Sequence, residues 1–473
     1  MDGPDPDTSW HDLLGEGRLA RFALICLGVW LNAADALVVA TIMPSVGAEL
    51  GGLAWFGWAT AGFFTGSILA GATAGRLSMV FGLRRAMAWA GILYALGCLV
   101  SAMAPSIGLF LAGRLVQGVG AGWIIGFAHV AIGLVFPKRH LARTFAAVAS
   151  VWGAATLVGP LLGGLFVQAG DWRGVFWLFA VQALAFAAAA VWLLEREARG
   201  EDQGGVPALQ VGLIVLAVAA IAASGLTGLA WRAAALGLAG VGLLGAAVRL
   251  DARAPANLFP RRAADISTAQ GAAYGAMLAM CVAGMALVTF GPAILQALHG
   301  LSPLAAGYVI GAETLSWTIS ALLVSRAGPR WQVLWIRVGT LALVAALVWL
   351  TFALRDGPPA MVVAAALLQG AGFGVAFGFL CQMIIAQASD AERAVASSSI
   401  AAVQQTGAAV GAALVGAVAT LAGASGHVLS VPAARMTAMW IFAAGLPAAA
   451  LAIFCAFRLP VPSASALSSG SPR

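Results

Sequence analysis

Two acidic residues lie in the middle of long apolar segments, where an acid is costly. The chain has eighteen acidic residues, and only Asp35 and Glu313 fall inside such a segment rather than in a tail, a loop or a segment end. An ionised carboxylate inside a membrane costs several kcal/mol unless it faces a cavity, a charged partner or a proton source. Because removal from water favours the neutral acid, such a carboxyl is suited to loading and releasing protons. Both residues are therefore candidates for function.

Arg114 is the candidate partner of Asp35. Asp35 precedes Pro44 by about 13 Å along a helix, and Arg114 enters a later apolar segment from the same side to a similar depth. The sequence predicts a proton-coupling switch, in which the guanidinium stabilises the ionised carboxylate and the proton is held when the arginine turns away. The alternative is that Arg114 only holds helices together through backbone carbonyls.

Glu313 has no cation in its own segment, which favours a cationic substrate as its partner. Trp317, one helical turn further on, would add cation–π attraction. The alternative is that Glu313 stays protonated and hydrogen-bonds a neighbouring helix. Gln117 and Gln369 lie on glycine-lined faces and are further candidates for substrate contact, although interhelical hydrogen bonding explains them equally well.

The composition identifies the apolar segments as membrane spans. Of the 473 residues, 62% are hydrophobic and only 9% are charged, whereas a soluble domain has about a quarter charged residues. The surface must therefore face lipid. The five cysteines are scattered without close Cys or His partners, so neither a disulfide framework nor a zinc site is expected. The net charge of +7 is interpreted through membrane topology rather than as a sign of nucleic-acid binding.

The segments predict an all-α integral membrane protein with about fourteen transmembrane helices. Each segment is close to the roughly 20 residues that cross a bilayer. The predicted spans are 20–44, 55–77, 86–104, 108–136, 144–168, 175–194, 208–227, 232–249, 268–296, 303–324, 333–353, 360–386, 395–422 and 435–457. The predicted organisation is an N-terminal cytoplasmic tail (1–19), a six-helix bundle (20–196), a linker with two extra helices (197–264), a second six-helix bundle (265–458) and a disordered tail (459–473).

Basic residues predict the orientation, because cytoplasmic loops are enriched in Lys and Arg. With fourteen spans, most of the 25 basic residues fall on the side of the two termini. We therefore expect both termini in the cytoplasm. The exceptions are Arg114, Arg173, Arg232, Arg355 and Arg435.

An internal repeat divides the chain into two similar halves. The sequence LVQGVGAG at 115–122 returns as LLQGAGFG at 367–374, and at the same offset Val158-Gly159 corresponds to Val410-Gly411. Repeated motifs at one offset indicate two parallel six-helix copies, with the 208–249 pair inserted between them.

Six short motifs carry a family resemblance. They are DALVVATIMP at 35–44, GRLSMVFGLRR at 75–85, RLVQGVG at 114–120, the glycine-rich 153–164 ending in GPLLGG, DWRGVF at 171–176 and GLSPLAAG at 300–307. In combination they resemble the major facilitator superfamily, and within it the fourteen-span drug:proton antiporters of the multidrug efflux type. The resemblance implies two six-helix bundles with a central extra pair, and export in exchange for protons by alternating access.

The resemblance also implies conformational roles for two of these motifs. In the 75–85 loop signature, Met79 stands where the family has an acid that forms a charge latch to the other half. Arg76, Arg84 and Arg85 either keep the basic side of this latch or serve only as topology anchors on anionic headgroups. In the 153–164 motif, a proline inside a helix removes a backbone hydrogen bond and bends the helix, and the glycines allow close approach. The candidate gating residues are Gly75, Gly82, Arg84, Arg85, Gly159, Pro160, Gly163 and Gly164.

The sequence favours a secondary active transporter, most simply a proton-coupled exporter of small lipophilic compounds, cationic if Glu313 is ionised. It shows no Gly-x-x-x-x-Gly-Lys nucleotide loop, and its longest connection is too short for a catalytic domain. We therefore expect no enzyme activity, no bound metal and no cofactor beyond the proton gradient. The expected partners are a small-molecule substrate, protons and the lipid bilayer, without nucleic acid, and the protein is expected to be a monomer in the cytoplasmic membrane. The alternatives are proton-coupled transport of one specific metabolite and a non-transporting receptor or scaffold.

Overall fold

The computed structural model describes residues 18–135, 141–195, 205, 207–227, 229–254, 256–325, 327–389 and 392–460. Within these residues all regular structure is helical. The α-helices are α1 Arg18–Leu50, α2 Phe56–Phe81, α3 Leu83–Ala102, α4 Ile107–Val135, α5 Leu141–Gln168, α6 Trp172–Leu193, α7 Ala208–Ser224, α8 Ala230–Asp251, α9 Ala269–Ala283, α10 Met285–His299, α11 Pro303–Val324, α12 Gln332–Asp356, α13 Pro359–Ala386, α14 Arg393–Leu421 and α15 Val431–Arg458.

Thirteen helical segments in the described part of the chain are long and apolar enough to cross a membrane. The predicted span 268–296 is one such segment, but it is interrupted at Gly284, where α9 gives way to α10. The predicted span 208–227 forms α7, an apolar helix of 17 residues, which is shorter than the others. The prediction of an all-α membrane protein is confirmed, with α7 at the lower limit for a spanning helix. The predicted tails lie almost entirely outside the described residues.

The outward-facing side chains explain why these helices suit lipid. Trp192, Leu238 and Leu323 are each more than 70% exposed, although they are large and apolar. Polar side chains such as Asp35, Gln117 and Gln369 are instead fully buried. Lipid offers no hydrogen-bond partners, so polar groups are satisfied inside the bundle while apolar ones face outward.

The helices group into two compact units. Among the described residues, the first contains 18–135, 141–195 and 205 together with 302–308 and 426–428, and the second contains the remainder. In the first unit α1 packs on α5, α4 packs on α2 and α3, and α3 packs on α6. In the second unit α9 packs on α14, α12 on α13, and α12 on α15, which correspond under the sequence repeat to α1–α5, α3–α4 and α3–α6. The repeat is therefore also a repeat of helix packing.

The extra pair α7–α8 belongs to the second unit. The two helices pack against each other, and α7 also packs against α14. Gly225, at the end of α7, allows the contact, because a Cβ atom at this position would lie 2.5 Å from the Ala417 Cα atom. A buried carboxylate then orders the chain that leaves α8, since Asp251 accepts hydrogen bonds from the backbone N–H groups of Leu258 and Phe259.

Glycines on α4 and α13 set the distances between helices. A Cβ atom at Gly118 would lie 2.0 Å from the Phe63 carbonyl oxygen of α2. In the second unit a Cβ atom at Gly370 would lie 2.0 Å from the Glu313 carbonyl oxygen of α11. Both glycines follow the repeated glutamine, so the motif brings each glutamine close to the neighbouring helices.

Candidate functional site

Asp35 and Arg114 form a buried ion pair in the first unit. The Arg114 guanidinium donates from Nη1 to Asp35 Oδ1 at 2.9 Å and from Nη2 to Asp35 Oδ2 at 3.0 Å. The side chain of Asp35 is fully buried and that of Arg114 is 3% exposed. Two parallel hydrogen bonds between planar groups form the strongest arrangement available to such a pair. The structure therefore brings together the two residues predicted to form the proton-coupling switch.

Gln117 completes the cluster. Its side-chain amide donates from Nε2 to Asp35 Oδ1 at 2.8 Å, and its Oε1 atom accepts from Arg114 Nη1 at 2.6 Å. Arg114 and Gln117 are three residues apart on α4, so they share one helix face. The face meets α3 closely, because a Cβ atom at Gly97 would lie 2.3 Å from the Gln117 backbone nitrogen. In this structure Gln117, predicted as a substrate contact, bonds the ion pair.

One aromatic ring lies against the guanidinium of Arg114. The Arg114 Cζ atom lies over the Phe63 ring, 4.5 Å from the ring centre. The Arg114 Nε atom is buried without a hydrogen-bond partner. Removing one member of a buried ion pair leaves an uncompensated charge, at a cost of about 3–5 kcal/mol. Protonation of Asp35 would therefore weaken the two hydrogen bonds that hold the Arg114 guanidinium in place.

Glu313 and Gln369 form the corresponding polar pair of the second unit. The Gln369 side-chain amide donates to Glu313 Oε1 at 2.6 Å and to the Gly284 carbonyl at 3.3 Å. Gly284 is the residue at which the α9–α10 segment is interrupted. Glu313 Oε2 and Gln369 Oε1 are buried and have no hydrogen-bond partner. This pair therefore holds two unused acceptor atoms.

Aromatic rings lie beside this pair. Trp317 is four residues after Glu313 on α11, and its ring stacks on Phe373 of α13 with centres 4.9 Å apart and an interplanar angle of 22°. The Phe377 ring is tilted against it at 5.4 Å. The sequence prediction named Trp317 but missed both phenylalanines, although they lie four and eight residues after Gln369 on the same helix.

Each of the two repeated glutamines bonds a buried carboxylate, but the two carboxylates lie on helices that do not correspond in the repeat. Gln117 bonds an acid on α1, the first helix of its unit, whereas Gln369 bonds an acid on α11, the second membrane-spanning segment of its copy. The residue that corresponds to Asp35 in the repeat is Leu287. In the described part of the chain, only the first unit places a cation beside its intramembrane acid.

The glycine–proline motif of α5 packs against α1. A Cβ atom at Gly159 would lie 2.8 Å from the Leu37 Cβ atom, and one at Gly163 would lie 3.0 Å from the Thr41 Cβ atom. Pro160 lies within α5. A Cβ atom at Gly164 would lie 2.7 Å from the Cβ atom of Leu304, a residue that belongs to the first unit.

The predicted close contact at Gly153 is wrong, because there is open space around this residue. The sequence alone could not separate Gly153 from Gly159, Gly163 and Gly164, because all four lie in one glycine-rich segment. Which of them contact α1 depends on the rotation of α5 about its axis. The pivot assigned to the other glycines and to Pro160 stays a prediction.

The loop signature joins α2 and α3. Gly75 lies within α2, and Gly82 joins the two helices in a conformation with a φ of 77° that favours glycine. Arg84 is half-buried, Arg85 is exposed and Met79 is 45% exposed. Their predicted role in gating stays a prediction.

Comparison with known proteins decides the family. A probable multidrug-efflux transporter of Mycobacterium tuberculosis is 30% identical over 412 residues, which cover 84% of this chain and 86% of that protein. The model of the Major Facilitator Superfamily matches residues 25–213. The chain belongs to the Major Facilitator Superfamily. An uncharacterised transporter of the same superfamily and organism is 29% identical over 418 residues, covering 82% of this chain and 57% of that protein.

Solved structures show the superfamily fold. A D-xylose–proton symporter superimposes with a TM-score of 0.65 and 16% identity, covering 94% of this chain and 98% of that one. A peptide transporter superimposes with a TM-score of 0.66 and 14% identity, covering 93% and 94% of the two chains. Family membership indicates a multi-pass membrane transporter. Within the described residues no group of three or more His, Cys, Asp or Glu side chains could hold a metal ion.

Proposed function

We propose that the chain is a proton-driven antiporter that exports small, lipophilic, cationic compounds across the cytoplasmic membrane by alternating access. A relative is named as a probable multidrug-efflux transporter, which supports export of more than one compound. In this proposal both termini lie in the cytoplasm. The protein acts as a monomer. The proton gradient, rather than a bound cofactor, would supply the free energy.

The observation that carries the proposal is the buried pair of Asp35 and Arg114. A carboxylate inside a membrane protein can accept a proton only by giving up part of its interaction with its cation. Here one proton on Asp35 changes three hydrogen bonds, two from Arg114 and one from Gln117. A local protonation is thereby linked to the position of α4 relative to α1, which is the kind of two-state change that coupling requires.

Glu313 supports the cationic substrate. The two unused acceptors, Glu313 Oε2 and Gln369 Oε1, suit a ligand that brings hydrogen-bond donors and positive charge. The stacked Trp317 and Phe373 rings offer an apolar surface with a negative face, which attracts organic cations. In this account Asp35 binds the proton and Glu313 attracts the substrate, so the two acids have separate tasks.

Dye efflux from cells tests the proposal. Cells that overproduce the protein are loaded with ethidium, and efflux is followed by fluorescence with and without an uncoupler. The proposal expects rapid efflux that the uncoupler stops and that Asp35→Asn reduces to the level of cells without the protein. Uncoupler-resistant efflux would exclude proton coupling, and wild-type efflux by an inserted Asp35→Asn protein would remove Asp35 from the proton path.

A further inference from the structure

Tyr94 lies beside the ion pair in a place that no motif marks. It is on α3, fully buried, and its hydroxyl group donates a hydrogen bond of 2.9 Å to the Leu31 carbonyl of α1. In an α-helix the carbonyl of residue 31 also accepts from the N–H of residue 35. The Tyr94 hydroxyl therefore bonds the backbone turn that carries Asp35.

The close packing of α3 against α4 fixes the position of the Tyr94 ring. A Cβ atom at Gly120 would lie 2.4 Å from the Tyr94 backbone nitrogen, so the two backbones nearly touch. Three turns of different helices then meet, namely the Leu31–Asp35 turn of α1, the Tyr94 turn of α3 and the Arg114–Gln117 turn of α4. The Tyr94 hydroxyl bonds the first of these turns, and the Tyr94 backbone packs on the helix that carries the third.

The repeat shows that this contact is specific to the unit with the ion pair. At the repeat offset Tyr94 corresponds to Ala346, which has no hydroxyl group, and Leu31 corresponds to Ala283. Ala283 is the last residue of α9, next to the interruption at Gly284. At these two positions the second unit therefore has neither the hydroxyl donor nor the continuous helical turn that the first unit has.

We infer that Tyr94 is a positioning residue that tunes proton binding at Asp35 by holding the α1 turn in the geometry that the Arg114 fork requires. The inference rests on the proposed role of Asp35 as the proton carrier. The titratable or charged groups around Asp35 are Arg114 of α4 and Tyr94 and Cys98 of α3. Cys98 is a buried thiol, so Arg114 supplies the positive charge and Tyr94 the alignment.

Infrared titration of the purified protein in detergent tests the inference without a substrate. The band of the protonated carboxylic acid that is present in the wild type and absent in Asp35→Asn reports Asp35 alone. Tyr94→Phe keeps the ring and removes the hydroxyl hydrogen bond to the Leu31 carbonyl. We expect the midpoint of this band to move to higher pH by at most about 1 unit, because a misaligned fork stabilises the carboxylate less and only this difference between the two protonation states moves the midpoint.

Tyr274→Phe is the matched control. It removes another buried tyrosine hydroxyl, which bonds Ser399 in the second unit, and should leave the midpoint unchanged. An unchanged midpoint in Tyr94→Phe, or the same shift in both variants, would overturn the inference. If wild type and Asp35→Asn show no difference band that titrates, the proposed function fails at Asp35 and the inference fails with it.

A second measurement applies even if Tyr94→Phe does not fold. The chain has only three tyrosines, so incorporation of fluorotyrosine into the Tyr274→Phe/Tyr308→Phe protein labels Tyr94 alone. A fluorinated phenol is a stronger donor of nearly the same shape. The midpoint of the Asp35 band should then move to lower pH than in the unlabelled double variant. No movement, or movement to higher pH, would contradict a positioning role for the hydroxyl.

Discussion

Arg114 donates two parallel hydrogen bonds, of 2.9 and 3.0 Å, to the two carboxylate oxygens of Asp35, and both side chains are buried inside the bundle. The fork geometry matters because a guanidinium can bond both oxygens at once, whereas an ammonium group acts as a point charge. The pair therefore combines charge compensation with a fixed orientation of α1 against α4. Its disruption by a proton would alter both.

Arg114→Ala should move the pH dependence of ethidium efflux to higher pH, because the Asp35 carboxylate loses its cation and retains its proton more strongly. Arg114→Lys keeps the charge but loses the fork, so its profile should lie between those of the wild type and Arg114→Ala. Export is measured as ethidium uptake into everted membrane vesicles at a series of pH values. An inserted Arg114→Ala protein with the wild-type profile would show that the pair has no part in coupling.

Glu313→Gln should weaken cationic substrates selectively. The change keeps size and hydrogen bonding but removes the charge, which should cost a cation about 1–3 kcal/mol of binding free energy. Efflux of ethidium, a cation, and Nile red, a neutral dye, is compared in the wild type and the variant. Equal loss for both dyes would assign Glu313 to proton coupling or to structure. No loss for either would leave it as a helix contact.

Gly118→Ala should destabilise the first unit. The added methyl group would lie 2.0 Å from a backbone oxygen of Phe63, and backbone atoms cannot move aside as a flexible side chain can. Overpacking of this kind costs about 1–3 kcal/mol. Thermal unfolding of the purified protein measures the effect. The control is Gly108→Ala on the same helix, where there is open space, and equal melting temperatures for the two variants would contradict the packing argument.

Gly159→Ala should slow transport more than Gly153→Ala. A Cβ atom at Gly159 would lie 2.8 Å from the Leu37 Cβ atom, whereas Gly153 has open space around it. If α5 moves against α1 during transport, a methyl group in this contact hinders the motion. Initial efflux rates of the two variants, normalised to the amount of inserted protein, give the comparison. Equal rates for the two variants would show that the α1–α5 contact at Gly159 takes no part in the conformational change.

Much of the fold could be predicted because apolar segment length determines where membrane helices occur. The same reasoning could place Asp35 and Arg114 at a common depth, since helical rise converts sequence position into distance. It could not show that Gln117 joins them, because a glutamine on a glycine-lined face is equally compatible with substrate contact. Nothing in the local sequence distinguishes Tyr94 from other residues of α3 until the rotation of that helix is known.

The Glu313–Gln369 pair of the second unit was harder to predict, because it depends on a helix interruption and on a distance between helices. The interruption at Gly284 has no sequence signal, since glycine is frequent in membrane helices and the nearest proline of that segment, Pro292, lies two turns later. The bond from Gln369 to Glu313 depends on how closely α11 and α13 approach, which is set at Gly370. The sequence left open whether Glu313 attracts a cation or bonds a neighbouring helix. In the structure one oxygen bonds Gln369 and the other has no partner.

Gradient-driven transport by Asp35→Asn in proteoliposomes tests the central claim most directly. Accumulation of ethidium is measured under an imposed pH gradient, and exchange of ethidium across the same vesicles is measured without a gradient. The account predicts that Asp35→Asn loses gradient-driven accumulation and keeps gradient-independent exchange, because substrate binding remains while the proton has no carrier. Accumulation at the wild-type level in Asp35→Asn proteoliposomes would contradict it.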